Sequence, residues 1–182
     1  VITLKGISMK FLSLFIGLMF SAVVFSTASF ASTLEEGYEA IRSGKLEEGF
    51  AILSPLAEQG NADAQYGVAI LYKEGWGTDQ NDQKSFENYE KAAKQGHVNA
   101  MFYTASDYQS GTGVTQDYSA AAKWYEQASN KGHAAAMYGL GSLYYNGLGV
   151  ERDDQVANTW ITKSADAGFA LASEFLKQRF MK

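Results

Sequence analysis

The sequence predicts an all-α protein: an α/α solenoid of helix-turn-helix repeats closed by capping helices at both ends. Three observations carry this reading. Gly60, Gly96, Gly132 and Gly168 recur every 36 residues, and so do Ala64, Ala100, Ala136 and Ala172. Within a unit, Ala64, Val68, Leu71 and Tyr72 fall at i, i+4, i+7 and i+8, one face of a helix with 3.6 residues per turn. No stretch alternates apolar and polar residues between hairpin turns, as a strand would. A fixed period of this length means stacked supersecondary units, none of which buries its apolar face alone.

The first segment is expected to be removed rather than folded. Met9 to Ala31 carries a basic start at Lys10, an apolar run from Phe11 to Phe25, and small residues at Ser29 and Ala31. That is the three-part pattern of a secretory signal peptide. The 15-residue run is shorter than the roughly 20 residues that span a bilayer as a helix. Residues 1–31 are therefore assigned to a signal peptide, with initiation near Met9 or an alternative start codon at Val1. The mature chain would begin at Ser32, lie in the periplasm or outside the cell, and carry no stable membrane anchor. Its formal charge would be −7, against −5 for all 182 residues.

Residues 32–60 read as an N-terminal capping pair of helices joined by the turn Ser43-Gly44-Lys45. Pro55 falls inside the second of these, where the lost backbone N–H is expected to kink or break the helix. Residues 61–168 form three repeats of 36. In each, a first helix ends at Gly75, Gly111 or Gly147, because glycine takes the left-handed conformation that closes a helix without steric cost. A second glycine follows at Gly77, Gly113 or Gly149, and Asn81, Asp117 and Asp153 are placed to cap the second helices. The six glycines are assigned as structural turns. Residues 169–182 read as a C-terminal capping helix, with Leu171, Phe175 and Leu176 expected to cover the last repeat.

The segment from Ala100 to Gly132, AMFYTASDYQSGTGVTQDYSAAAKWYEQASNKG, follows the pattern Ala-x3-Leu-Gly-x2-Tyr-x2-Gly-x-Gly-Val-x2-Asp, then Lys-Trp-Tyr and a closing Gly, with Thr104 and Ala105 in place of Leu-Gly. It resembles the Sel1-like repeat, a relative of the tetratricopeptide repeat. The third unit keeps Leu140, Gly141, Tyr144, Gly147, Gly149, Val150 and Asp153; the second departs at Thr104 and Ala105; the first has Ala69, Thr78 and Asn88 at the Gly, Val and Trp positions. The resemblance spans about 120 residues. It implies an adaptor that holds a partner protein, with first helices on the concave side. Some cysteine-rich secreted members were linked to β-lactam binding or hydrolysis. This chain has no cysteine, which separates it from that branch.

Composition narrows the chemistry. Without cysteine there is no disulfide, thiol nucleophile or thiolate metal site. An acidic chain with no block of Lys/Arg is ill suited to nucleic acid. The Gly-x-Gly pairs follow helices, whereas a phosphate-binding loop follows a strand and opens a helix, so they read as turns. His97 and His133, the only histidines, stand one repeat apart after the closing glycines. Equivalent positions in packed helices recur roughly 10 Å apart, too far to share a metal ion, so turn roles are expected. Asp153/Asp154 and Glu47/Glu48 are sequence neighbours that diverge on a helix and read as caps and solvated faces. Trp124, Trp160, Tyr125 and Tyr89, on second helices, read as packing between units. No catalytic residue, metal site or cofactor is assigned, and the chain is expected not to be an enzyme.

The candidate site is the side of the first helices away from the packing stripe. Counting 2, 6 and 9 residues past each repeat alanine gives Tyr66, Ile70 and Lys73, then Phe102, Ser106 and Gln109, then Tyr138, Ser142 and Tyr145. Aromatic, small and polar residues with few charges are what interface centres are made of. The expected function is a protein–protein interaction module that binds another protein or peptide segment in this groove. The alternative is a cell-wall-related or β-lactam-binding or hydrolysing enzyme. Phe102, Tyr138 and Tyr145 are the expected anchors, with Tyr145 the ring furthest from the packing stripe.

Overall fold

The computed structural model of the chain describes residues 33–180, all of it helix and turn with no strand among them. The expected signal segment lies outside the described residues. Helix α1 covers residues 33–42. Then follow α2 (Leu46–Glu58), α3 (Ala62–Glu74), α4 (Asp82–Lys94), α5 (Val98–Ser110), α6 (Tyr118–Asn130), α7 (Ala134–Asn146), α8 (Asp154–Asp166) and α9 (Ala170–Phe180). From α2 to α8 every helix has 13 residues, and each packs on its neighbours in the chain.

The repeated residues act at the tightest points of the stack. Ala64, Ala100, Ala136 and Ala172 are completely buried. Gly75, Gly111 and Gly147 close α3, α5 and α7 with φ of 68°, 77° and 65°. Each turn is then sealed by a bond from the next cap residue back to the first helix: the N–H groups of Asn81, Asp117 and Asp153 donate to the carbonyls of Tyr72, Tyr108 and Tyr144 at 2.9, 2.9 and 3.1 Å. The second glycine of each pair has a different task. A Cβ on Gly77, Gly113 or Gly149 would overlap the backbone of Leu46, Asp82 or Tyr118, the start of the second helix one unit earlier. Here the turn of one unit rests directly on the preceding unit.

Asn81, Asp117 and Asp153 cap α4, α6 and α8, accepting from Lys84, Ala120 and Val156 amides, each at 2.9 Å. Two expectations about the ends are corrected. Helix α2 runs unbroken past Pro55 to Glu58. Pro55 is exposed and sits in the last turn, so the carbonyl it leaves without a donor can face water, while buried Leu53, Leu56 and Ala57 hold the helix in place. At the other end Leu171 is 57% exposed and does not cover the last repeat, whereas Phe175 packs on α7 as expected and Ala172 beside it is fully buried. Phe169 is the residue before α9, at the place where earlier units have a cap.

Candidate functional site

The first helices α3, α5, α7 and α9 form one row, joined through the residues of the candidate site. The same three positions meet at each junction between units. The residue 2 past the repeat alanine comes from one first helix, an apolar residue from the second helix of that unit lies beneath, and the residue 3 past the alanine comes from the next unit. At the first junction these are Tyr66, Tyr89 and Tyr103: Tyr89 is buried, Tyr103 stacks on it at 5.0 Å and 12°, and Tyr66 lies 5.9 Å from Tyr89 and 6.1 Å from Tyr103. At the second they are Phe102, Tyr125 and Gly139. Phe102 approaches Tyr125 at 5.9 Å, and a side chain on Gly139 would strike the Tyr125 ring. At the third they are Tyr138, Ile161 and Phe175, with Tyr138 and Phe175 6.4 Å apart edge to face. A pocket of about 250 Å³ opens there, lined by Tyr138, Ser142, Tyr145, Asn146, Ile161 and Phe175.

Burial sets the chemistry of these phenols. It holds the Tyr89 hydroxyl far above its ordinary titration and pushes Tyr125 up to about 12, so both stay neutral donors at any physiological pH. Tyr125 donates to Gln109 Oε1 at 2.8 Å, which fixes that amide in the row.

The polar candidates are partly spent on the fold. Lys73 Nζ forms an ion pair with Asp107 at 2.9 Å, tying α3 to α5. Asp107 is only 3% exposed and its Oδ2 has no partner. Burial raises its carboxyl above the ordinary range even though Lys73 draws it down. Tyr145 is not the free ring that the helical wheel suggests. Phe175 meets it edge-on at 5.5 Å, and the guanidinium groups of Arg152 and Arg179 lie 5.7 and 5.4 Å from its centre. Asp154 holds both arginines, at 3.1 and 3.7 Å. Tyr145 thus anchors α9 as well as lining the pocket. Ile70, Ser106 and Ser142 stand half-buried in the same row.

Two residues belong to the site that helical-wheel counting left out. Tyr103 is 38% exposed among the rings of the first junction, and Asn146 lines the pocket at the third. The signal for Tyr103 was a departure from the repeat, since the equivalent residues are Gly67 and Gly139. The histidines cap the first helices: His97 Nδ1 accepts from the Ala100 amide and His133 Nδ1 from the Ala136 amide, both at 3.1 Å. Trp124 and Trp160 pack against the core, with Lys163 Nζ 4.5 Å from the Trp160 ring. Among the described residues no group of three or more His, Asp or Glu stands close enough to hold a metal ion, and no helix is long and apolar enough to cross a membrane.

Comparison with known proteins follows the same units. The Sel1 repeat profile matches residues 62–97, 98–133 and 134–169. Among solved structures, a protective antigen present in uropathogenic Escherichia coli strains, described as having an SLR fold, aligns with TM-score 0.76 and 28% identity over 81% of this chain and 32% of its own. A Sel1 repeat protein from Oxalobacter formigenes aligns with TM-score 0.71 and 31% identity over 77% of this chain and 56% of its own. The chain thus spans about a third of the first relative and just over half of the second. Helicobacter pylori cysteine rich protein B shares the fold at TM-score 0.52 and 21% identity, over 78% of this chain and 96% of its own. No curated protein sequence matches significantly.

Proposed function

The chain belongs to the Sel1 repeat family, and from that premise we propose that it is a non-enzymatic adaptor of the bacterial periplasm that holds a segment of another protein along its row of first helices. The observation that carries the reading is the continuous line of partly exposed rings, Tyr66, Tyr103, Phe102, Tyr138 and Tyr145, contributed by three successive units. Aromatic rings bury much area for little lost freedom, and interface energy concentrates on such anchors. Charge is subdued in the row, because Lys73 is already paired with Asp107. Ser106, Gln109, Ser142 and Asn146 lie between the rings and suit the amides of an extended segment. The export pattern of the sequence supports the compartment.

The test is affinity capture from periplasmic extract with the mature protein, with a photo-crosslinking residue at Ser106 in one preparation and at exposed Lys123, on second helix α6, in another. The reading expects a partner joined through position 106 and not through 123. A partner joined only through 123 would move binding to the other side of the solenoid.

A further inference from the structure

The residues that open the first helices differ from unit to unit in one chemical respect. Asn61, His97 and His133 occupy the same place, 36 residues apart, and each accepts from the amide three residues on: Asn61 Oδ1 from Ala64 at 2.9 Å, the two imidazoles through Nδ1 at 3.1 Å. An amide oxygen accepts at every pH. An imidazole accepts through Nδ1 only while that nitrogen is bare, so its proton must sit on Nε2. Protonation destroys the acceptor and puts a positive charge at the positive end of the helix dipole. Each imidazole also stacks on the ring of the preceding unit, His97 on Tyr66 at 4.4 Å and His133 on Phe102 at 4.7 Å.

We propose that His97 and His133 are proton-sensitive couplers, which join units while neutral and loosen the array when they are protonated. The coupling reaches the candidate site directly, because Tyr66 and Phe102 are its rings.

The groups around each histidine make the two unequal. Around His97, α3 contributes the Tyr66 ring and the Asp63 carboxylate, with Oδ1 3.5 Å from Nε2; α4 contributes the Ala92 carbonyl, and α5 the Ala100 amide. Around His133, α5 contributes the Phe102 ring, α6 the Ala128 carbonyl and α7 the Ala136 amide, and no charged group faces it among the described residues. Asn99 stands where Asp63 stands one unit earlier. A protonated His97 therefore keeps a compensating carboxylate, and a protonated His133 has none. Burial lowers the titration of both, opposed at His97 by Asp63.

The sign follows from linkage. The folded imidazoles titrate below the unfolded value of about 6.5, so the unfolded chain takes up protons first as pH falls. Their stabilisation is complete above that value and is lost as pH drops through it towards the folded one. Over this window the folding equilibrium constant falls by up to about tenfold per pH unit for each histidine.

The experiment is urea unfolding of the full chain between pH 5.5 and 7.5, for wild type, His97→Asn, His133→Asn and the double variant. Asparagine is the cap that the first unit already uses. Wild type is expected to lose stability on acidification, His133→Asn to remove most of that loss, and the double variant to show none. Parallel slopes for wild type and the double variant would overturn the proposal. Should the variants not fold, nitrogen-15 spectra of the wild-type imidazoles decide. Protons on Nε2 with titration below the unfolded value support it, whereas protons on Nδ1 or unlowered titration refute it.

Discussion

The second and third repeats share one plan and fill it differently. In the third, α7 buries Leu140, Gly141 and Leu143. In the second, α5 buries Thr104, Ala105 and Asp107 at the same places, and both Thr104 Oγ1 and Asp107 Oδ2 lack partners. The third unit also has Gly139 where the second presents Tyr103 to the row of rings. The skeleton of buried alanines and turn glycines is thus enough to specify the helix pair. What occupies the rest of the first helix is free to trade cohesion for surface. Buried polar atoms without partners typically cost about 1–3 kcal/mol each, so the second unit gives up cohesion at places where the third keeps it. Among the rings of the row, its Tyr103 also stands most open.

The largest effect should come from writing the second unit into the third. Leu143 is completely buried. Leu143→Asp should cost about 4–5 kcal/mol, because it buries a charge with no partner. Gln109 stands 36 residues after Lys73, so adding Gln109→Lys should return part of the loss. Urea unfolding of the single and double variants measures both; no recovery would mean that the Lys73–Asp107 tie depends on more than its two residues.

The next effect tests what the two units have in common. Gly113→Ala and Gly149→Ala should each cost about 2–4 kcal/mol, from positive φ at 70° and 68° combined with overlap of the preceding unit's backbone. Gly147→Ala should cost about 1 kcal/mol, since its φ is strained but its nearest neighbour is the Arg152 side chain at 3.2 Å. Thermal melting orders the three; equal losses would remove the distinction between closing a helix and resting on a neighbour.

A smaller change should have the opposite sign. Asp107→Leu restores the residue of the flanking units and, combined with Lys73→Met so that no charge is left unpaired, should raise stability by about 1–2 kcal/mol at neutral pH, as apolar replacement of both partners of a buried ion pair often does. Asp107 titrates above its ordinary value in the folded state. Its cost is therefore present at neutral pH and relieved as pH falls through that raised value, so the advantage of leucine should shrink towards pH 4. Unfolding of both proteins along a pH series checks the sign; a constant or growing advantage contradicts it.

The architecture was legible in the sequence because repetition isolates what the backbone needs. A glycine that recurs at one phase three times is a turn, and an alanine that does so is a crossing point. The site was legible only in part. Helical counting finds which way Tyr66, Phe102 and Tyr138 face, but it takes each helix alone. It therefore misses contacts made by the next unit: Phe175 and Arg179 around Tyr145, Asp107 on Lys73, and Tyr103 over Tyr89. The same limit hid the role of the histidines, since the residue after a closing glycine gains its meaning from the helix that follows. Pro55 misled for a related reason, because packing of Leu53, Leu56 and Ala57 outweighs one missing bond in a final turn.

The central claim is that the middle unit trades cohesion for a binding ring. The most direct measurement is the dissociation constant of the recovered partner segment for wild type, Tyr103→Ala and Lys123→Ala. Tyr103→Ala should weaken binding about 30-fold, the loss of roughly 2 kcal/mol expected for an aromatic anchor, in a protein that keeps its helicity and melts somewhat earlier for want of the stacking on Tyr89. Lys123→Ala should bind as wild type does. Unchanged affinity in a folded Tyr103→Ala would contradict the claim.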